Sequence, residues 1–160
     1  MLYSGKITTA STKETIAEIN KIAEKTNSCI VLFDAEKIAG RQHIECALAH
    51  AKRAFSEKKN IARTLSMEIL LYVSAQRQCS LAPRFGLHEG ENYVYVLIEG
   101  GDEKTARTEL AKLIADAPEV CATVDTLKKE FGITDAELEI TGISRISELV
   151  CERVALMEIR

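Results

Sequence analysis

YVYVLI, residues 93–98, is the stretch that decides the fold class of this 160-residue chain. All six residues are aromatic or aliphatic, and a short apolar run of this kind is typical of a strand that is buried on both faces. CIVLF, residues 29–33, has the same character, and LYSGKIT near the start alternates in part, as a third strand would. Buried strands need helices to cover them, so the sequence predicts an α/β or α+β domain of two or three layers.

Helical periodicity fills most of the remaining chain. Apolar residues recur at three- and four-residue spacings, and Ser11 and Asp102 are capping residues at which helices begin. Residues 134–140 are ambiguous, because they combine a capping box with a strand-like alternation. Helices are predicted over about residues 11–26, 42–58, 61–79, 102–116, 123–131 and 146–157. We therefore expect a single α/β domain over residues 1–160, with a small mixed sheet packed with several helices.

The composition is that of a soluble globular chain. Hydrophobic residues make up 46% and charged residues 28%, which excludes an intrinsically disordered protein. No apolar run approaches the length of about 18 residues that a membrane span needs. Residues 1–10 lack the apolar segment of a signal peptide. The five cysteines are dispersed, as expected for reduced thiols, so we predict a cytoplasmic location.

Charge is distributed unevenly along the chain, although the net charge is only −3. Residues 1–40 are neutral overall, and residues 41–84 carry eight Lys or Arg against three Glu. Residues 85–160 carry eight Lys or Arg against sixteen acidic residues. The middle of the chain is therefore basic within an acidic protein. A basic face for a polyanion and an ordinary solvated helix surface both explain this pattern.

The helix predicted over residues 61–79 changes from apolar to polar at QRQ, residues 76–78. Arg63, Leu70 and Arg77 share one stripe of this helix, so Arg77 should project from the end of a buried scaffold. Arginine forms bidentate contacts with phosphate and stacks on bases. It also caps the last carbonyls of a helix, where the helix dipole favours a cation. Both interpretations of Arg77 are open from the sequence.

His43, Cys46 and His50 lie on one edge of the helix predicted over residues 42–58. Zinc accepts these ligand types, but a structural zinc site uses four ligands and no fourth is evident. A packing histidine and a semi-buried thiol explain the same spacing. The chain also lacks a P-loop and the G-x-G-x-x-G, G-x-S-x-G and H-E-x-x-H motifs. A small thiol- or metal-dependent enzyme that uses this edge is the alternative to a non-catalytic function.

The last predicted helix carries more apolar surface than one core face requires. Its stripe runs from Ile146 to Met157, and Ala155, Leu156 and Ile159 lie outside that stripe. Such a surplus can dock a partner, although packing within the core explains an apolar helix equally well.

Four segments carry distinctive motifs in order. They are LFDAEKIAGRQHIECALAHAKRAF at 32–55, NIARTLSMEILLYVSAQRQ at 60–78, FGL at 85–87 with YVYVLIEG at 93–100, and ERVALMEI at 152–159. Together they resemble the kinase-binding small subunit of the KEOPS complex, the TPRKB-like family, and the compact chain resembles its archaeal type. The chain departs from the family pattern at Ala75, where glycine is usual, and at Cys79 and Pro83.

The resemblance implies a non-catalytic subunit with an α/β fold and with no cofactor or metal. Family members bind and stimulate the complex's atypical small kinase-ATPase. They also bind tRNA, including its single-stranded 3′ CCA end, and the complex installs threonylcarbamoyl on a tRNA adenosine. The residues expected to face tRNA are Arg77, Asn60, Arg63 and Lys59. The residues expected to face the kinase are Leu149, Val150, Arg153 and Met157 of the last helix.

Overall fold

The structure is a computed structural model that describes residues 1–159, and that range contains four strands and seven α-helices. The strands are β1 (Leu2–Thr9), β2 (Cys29–Asp34), β3 (Gly90–Glu99) and β4 (Ala115–Asp116). The helices are α1 (Thr12–Thr26), α2 (Arg41–Ser56), α3 (Leu65–Ser74), α4 (Glu103–Leu110), α5 (Val124–Phe131), α6 (Asp135–Thr141) and α7 (Ile146–Leu156). Single 3₁₀ turns lie at Ala35–Lys37, Ala82–Phe85, Ile143–Arg145 and Met157–Ile159.

These elements form two compact units. The first unit contains Met1–Ala35 and Gly86–Val120, and therefore all four strands with α1 and α4. The second unit contains Glu36–Phe85 and the segment that begins at Cys121, and therefore the other five helices. The predicted α/β class is confirmed. A single domain over residues 1–160 stays a prediction.

The sheet of the first unit has the strand order β2-β3-β1-β4. Val31 of β2 lies opposite Leu97 of β3, and Leu97 lies opposite Leu2 of β1. Every pairing in this sheet is antiparallel, which corrects the expectation of a mixed sheet. The physical reason is that an apolar run reports burial on both faces of a strand and carries no information about strand direction.

Both faces of β2 and β3 are buried, as their apolar sequences predict. Phe33 and Tyr95 have no exposed surface on one face. The other face joins α1 and α4 in a hydrophobic core made of Ile7, Ile19, Ile30, Leu32, Val94, Val96, Ile98, Ala106, Leu110 and Ile114. Removing this apolar area from water is the main force that stabilises the unit.

The second unit is a helical layer in which α2 packs against both α3 and α7. Ile44, Ala47 and Ala51 of α2 have no exposed surface, and neither have Val150 and Val154 of α7. The alanines on this face of α2 are short, so the neighbouring helices can approach it closely. The apolar residues that recur along these two helices at three- and four-residue spacings therefore form their packing faces.

Helix α3 is shorter than the predicted 61–79. It begins at Leu65, because the Thr64 hydroxyl accepts a hydrogen bond from the Met67 N–H at 3.3 Å. It ends at Ser74, because Ala75 adopts a left-handed conformation with φ of 52°. Glycine adopts this conformation without strain, whereas alanine has to overcome a steric cost of about 1 kcal/mol. Residues 76–78 lie beyond the helix end and are at least partly exposed, which explains the change from apolar to polar residues at this point.

Two further boundaries differ from expectation or settle an ambiguity. Helix α4 ends at Leu110 instead of about residue 116, because Ala115–Asp116 pairs with β1 as β4. The ambiguous residues 134–140 are helical, and the capping box of Thr134 and Glu137 is formed in both directions. No helix within residues 1–159 combines the length and the apolar character that crossing a membrane requires.

Candidate functional site

A cleft of about 360 Å³ opens on the second unit beside the end of α3. The last turn of α2, the segment that follows it and the C-terminal 3₁₀ turn form its other walls. Its apolar lining includes Ile61, Tyr72 and Met157. Its charged lining consists of Arg53, Lys59 and Arg77 with Glu57 and Glu158. The cleft thus combines three cations and two carboxylates with an apolar floor, a mixture suited to an anionic ligand that also has an apolar or aromatic part.

Arg77 lies three residues beyond the end of α3 and lines this cleft. Its Nη1 donates a hydrogen bond to the backbone oxygen of Met157 at 3.0 Å. Arg77 therefore caps the turn that follows α7, and not the carbonyls of its own helix. A guanidinium has five N–H donors, so this contact orients the group and leaves other donors for a ligand.

Of the three other residues expected to face tRNA, Lys59 lines the cleft, whereas Asn60 and Arg63 do not. Lys59 lines it and lies 3.1 Å from a carboxylate oxygen of Glu57. Both side chains are largely exposed, so this pair is weak and leaves Lys59 available. Asn60 donates through Nδ2 to the Ala62 carbonyl at 2.8 Å and shapes the adjoining segment. Arg63 is exposed but does not line the cleft, so the structure brings only Arg77 and Lys59 together there.

Glu68 positions the segment that carries these residues, and the sequence analysis did not identify it. Its side chain has no exposed surface. Its carboxylate accepts hydrogen bonds from the Ala62 N–H at 2.7 Å and from the Ile61 N–H at 3.1 Å. The signal in the sequence is a single acid within the apolar run of α3, since a buried acid needs partners. Glu68 therefore ties residues 61–62, of which Ile61 lines the cleft, to the buried helix.

The C-terminal turn is tied to α2 by a cluster of polar side chains. His50 Nδ1 lies 2.6 Å from Oε1 of Glu158, and Arg53 Nη2 lies 3.2 Å from the same oxygen. A carboxylate oxygen only accepts, so His50 Nδ1 is the donor in this contact, and Arg53 Nη2 lies 2.9 Å from the same Nδ1. The His50 ring stacks on Tyr72 with centroids 5.6 Å apart. The hydrogen bond from His50 holds the pKa of Glu158 below its usual value, and the positive charges of Arg53 and Lys59 add to this effect.

His43 is a packing residue and does not face the cleft. It has no exposed surface, its Nδ1 accepts from the Ala39 N–H at 3.1 Å, and its Nε2 donates to the Val73 carbonyl at 2.8 Å. Burial lowers the pKa of His43 to about 4. Since both ring nitrogens serve the backbone, His43 has no lone pair to offer a metal. Within residues 1–159 no group of three His, Cys, Asp or Glu side chains is placed to hold a metal ion.

Two thiols, Cys151 beside Cys46 and Cys29 in the first unit, have raised pKa values. Burial, a hydrogen bond and the nearby charge of Cys46 raise the pKa of Cys151 to about 12. In the first unit, burial raises the pKa of Cys29 to about 11. An activated thiol needs a lowered pKa, so these two cysteines have the opposite property. At this edge, His43 is committed to backbone contacts and the neighbouring thiol of Cys151 has a raised pKa, and neither property favours the alternative of a thiol- or metal-dependent enzyme.

The residues expected to face a kinase lie mainly inside the second unit. Leu149, Val150 and Met157 are 7%, 0% and 1% exposed, so their side chains form the packing face of the C-terminal segment. Arg153 is half-buried and binds both carboxylate oxygens of Glu137, at 2.7 and 2.9 Å. No finding tests whether the last helix docks a kinase, so that assignment stays a prediction. A direct contact would have to use the opposite face of α7.

Comparison with curated protein sequences finds no match to this chain. A comparison with protein-family models finds one family, described as "Kinase binding protein CGI-121", and the match covers residues 8–158. This range contains the whole of α1 to α7 and every residue of the cleft except the last. A match of this extent means that the chain belongs to the kinase-binding protein CGI-121 family.

Proposed function

We propose that this chain is the archaeal-type small subunit of a KEOPS complex and acts in the cytoplasm. In this function it binds and stimulates the complex's atypical kinase-ATPase and holds tRNA, including its 3′ CCA end, for threonylcarbamoyladenosine formation. Family membership supports the kinase partner and indicates a regulatory rather than a catalytic role. The observation that carries the tRNA part of the proposal is the cleft where Arg77 and Lys59 converge.

The chemistry of the cleft suits a single-stranded RNA end. RNA ends are bound through phosphate contacts with cations and through stacking of bases on apolar, aromatic or guanidinium surfaces. Arg77 and Lys59 supply cations, and Ile61 and Ile159 supply partly exposed apolar surface beside them. Most acidic residues lie after residue 84 in the sequence, and of these Glu158 lines the cleft. Binding to tRNA should therefore be local to this cleft and sensitive to salt.

Binding of one tRNA with and without its terminal CCA, across a salt series, tests this part of the proposal. We expect intact tRNA to bind at least about tenfold more tightly than trimmed tRNA, because the cleft offers phosphate and stacking contacts to two or three nucleotides. Affinity should fall linearly with the logarithm of salt concentration. Equal binding of the two tRNAs, or none, would show that the cleft does not read the 3′ end.

For the kinase contact we propose the exposed face of α7, where Glu148, Glu152 and Ala155 follow one another at spacings of four and three residues. The earlier candidates Leu149, Val150 and Met157 pack on the opposite face and support this surface from within. The exposed face is acidic at Glu148 and Glu152 and ends at the small apolar side chain of Ala155. It therefore suits a kinase lobe that presents basic residues around a shallow apolar surface.

Replacing Ala155 by arginine should lower the affinity for the kinase by about tenfold or more, because a long cation replaces a methyl group on this surface. Binding to the purified kinase is measured by calorimetry, and stimulation of its ATPase activity is measured alongside. Ala17→Arg introduces the same change at an exposed position of α1 and should leave both unchanged. Equal affinities for Ala155→Arg and the unmodified chain would place the kinase contact on another surface.

A further inference from the structure

Glu158 is an anion placed within a cluster of groups that bind anions. Its carboxylate accepts from His50 at 2.6 Å and lies 3.2 Å from Arg53, and both contacts involve the same oxygen. Lys59 lies close enough to help lower the pKa of Glu158. Glu158 and these two cations line the cleft that also contains Arg77. The carboxylate of Glu158 therefore occupies the position to which His50, Arg53 and Lys59 offer N–H groups and positive charge.

The donors are held in place by contacts that do not depend on Glu158. The His50 ring stacks on Tyr72, which is only 5% exposed and belongs to the buried helix α3. Arg53 belongs to the last turn of α2, three residues after His50, and its Nη2 lies 2.9 Å from His50 Nδ1. His50 and Arg53 therefore each have one contact that remains when the carboxylate is removed. A phosphate oxygen makes the same kind of charge-assisted hydrogen bonds as a carboxylate oxygen, and arginine favours both.

We propose that Arg53, His50 and Lys59 form a phosphate subsite, and that Glu158 occupies this subsite until an RNA phosphate displaces it. The subsite extends the Arg77 region of the same cleft, and the inference rests on the proposed tRNA function. Glu158 thereby acts as an internal competitor. A single free phosphate gains little by replacing it, whereas an RNA end that also contacts Arg77 compensates for the exchange. The cleft would then select an extended polyanion over small anions.

Displacement requires only a rotation of the Glu158 side chain. Met157 is 1% exposed and Val154 has no exposed surface, so the backbone on the N-terminal side of Glu158 is anchored in the core. The Glu158 side chain is 35% exposed, so it can turn towards water without unfolding the turn. Rotamer changes of exposed side chains take picoseconds to nanoseconds and do not limit binding. The exchange is therefore compatible with a rigid cleft.

Removing the charge of Glu158 should strengthen RNA binding. Glu158→Gln keeps the size of the side chain and an oxygen that accepts from His50, but it removes the competing charge. The probe is an acceptor-stem minihelix that ends in CCA, and its affinity is measured by fluorescence anisotropy at low salt. We expect Glu158→Gln to bind it about fivefold more tightly than the unmodified chain. A purely structural role of Glu158 predicts the opposite, equal or weaker binding through a loosened turn.

A double-mutant cycle with Arg53 separates the subsite from a general effect of charge. Arg53→Gln should weaken minihelix binding, and in that background Glu158→Gln should gain less than about twofold. Glu45→Gln removes the same charge from an exposed position of α2 outside the cleft, and it should leave the affinity for the minihelix nearly unchanged. An equal gain in both backgrounds, or from Glu45→Gln, would overturn the subsite. If Arg77→Glu abolishes binding but Glu158→Gln leaves it unchanged, only this inference fails; if no variant binds, the proposed tRNA function fails with it.

Discussion

Replacing Arg77 by glutamate should lower the affinity for CCA-ended tRNA by about 30-fold or more, at a salt concentration near 0.1 M. The substitution reverses the charge of the one cation that lines the cleft at the end of α3. It places a carboxylate where the proposal requires a phosphate contact, so repulsion replaces attraction. Binding of intact and CCA-trimmed tRNA to the variant is measured by anisotropy. The difference between the two tRNAs should disappear.

The control for Arg77→Glu has to separate local contact from net charge and from folding. Lys129→Glu makes the same charge reversal at an exposed position of α5, outside the cleft, and should change tRNA affinity less than about threefold. Arg77 also donates to the Met157 carbonyl, so the melting temperature of each variant is recorded. Equal weakening by the two reversals would remove Arg77 from the site and leave only nonspecific attraction.

Replacing Glu68 by alanine should lower the free energy of unfolding by about 3 kcal/mol. The carboxylate has no exposed surface and satisfies the N–H groups of Ile61 and Ala62. Its removal leaves the buried Ala62 donor without a partner and opens a cavity beside α3. Urea denaturation followed by circular dichroism measures the loss. A change in the denaturation midpoint with a constant slope would identify it as a loss of stability.

Two further variants make the Glu68 result specific. Glu68→Gln keeps one acceptor oxygen and should lose about half as much stability as Glu68→Ala. Glu45→Ala removes an exposed glutamate of α2 and should change stability by less than about 0.5 kcal/mol. Equal losses for Glu68→Ala and Glu45→Ala would mean that the 61–62 segment is held by other contacts. A destabilised segment should also weaken tRNA binding, because Lys59 lies only two residues before Ile61.

The motifs that reveal the family are largely structural. His43 joins the Ala39 N–H to the Val73 carbonyl, and so connects the start of α2 with the end of α3. Glu68 joins the NIA segment, residues 60–62, to the middle of α3. The sequence shows that His43 and Glu68 belong to motifs that stand in the order typical of the family. The sequence does not show that these side chains bind backbone groups. Every residue has a backbone N–H or carbonyl group, so the partner cannot be recognised from the type of its side chain.

Local rules predicted most of the elements but few of the contacts. The caps at Ser11 and Thr134 depend on residues three positions away, so they could be read directly from the sequence. The end of α3 at Ser74 could not be predicted from such a local pattern. It depends on a left-handed conformation of Ala75, which is unfavourable for alanine. Tertiary packing overrides the preference of a single residue at such a position.

By itself, the sequence determined the buried strands, the amphipathic helices, the family and the concentration of basic residues between positions 41 and 84. These properties depend on periodicity, composition and local order, which a chain carries before it folds. Only the tertiary structure decided that Leu149 and Val150 face inwards, and that Glu158 reaches His50 across 108 positions of sequence. Periodicity defines a face of a helix but not what covers it, and a long-range contact exists only after packing has brought the two segments together.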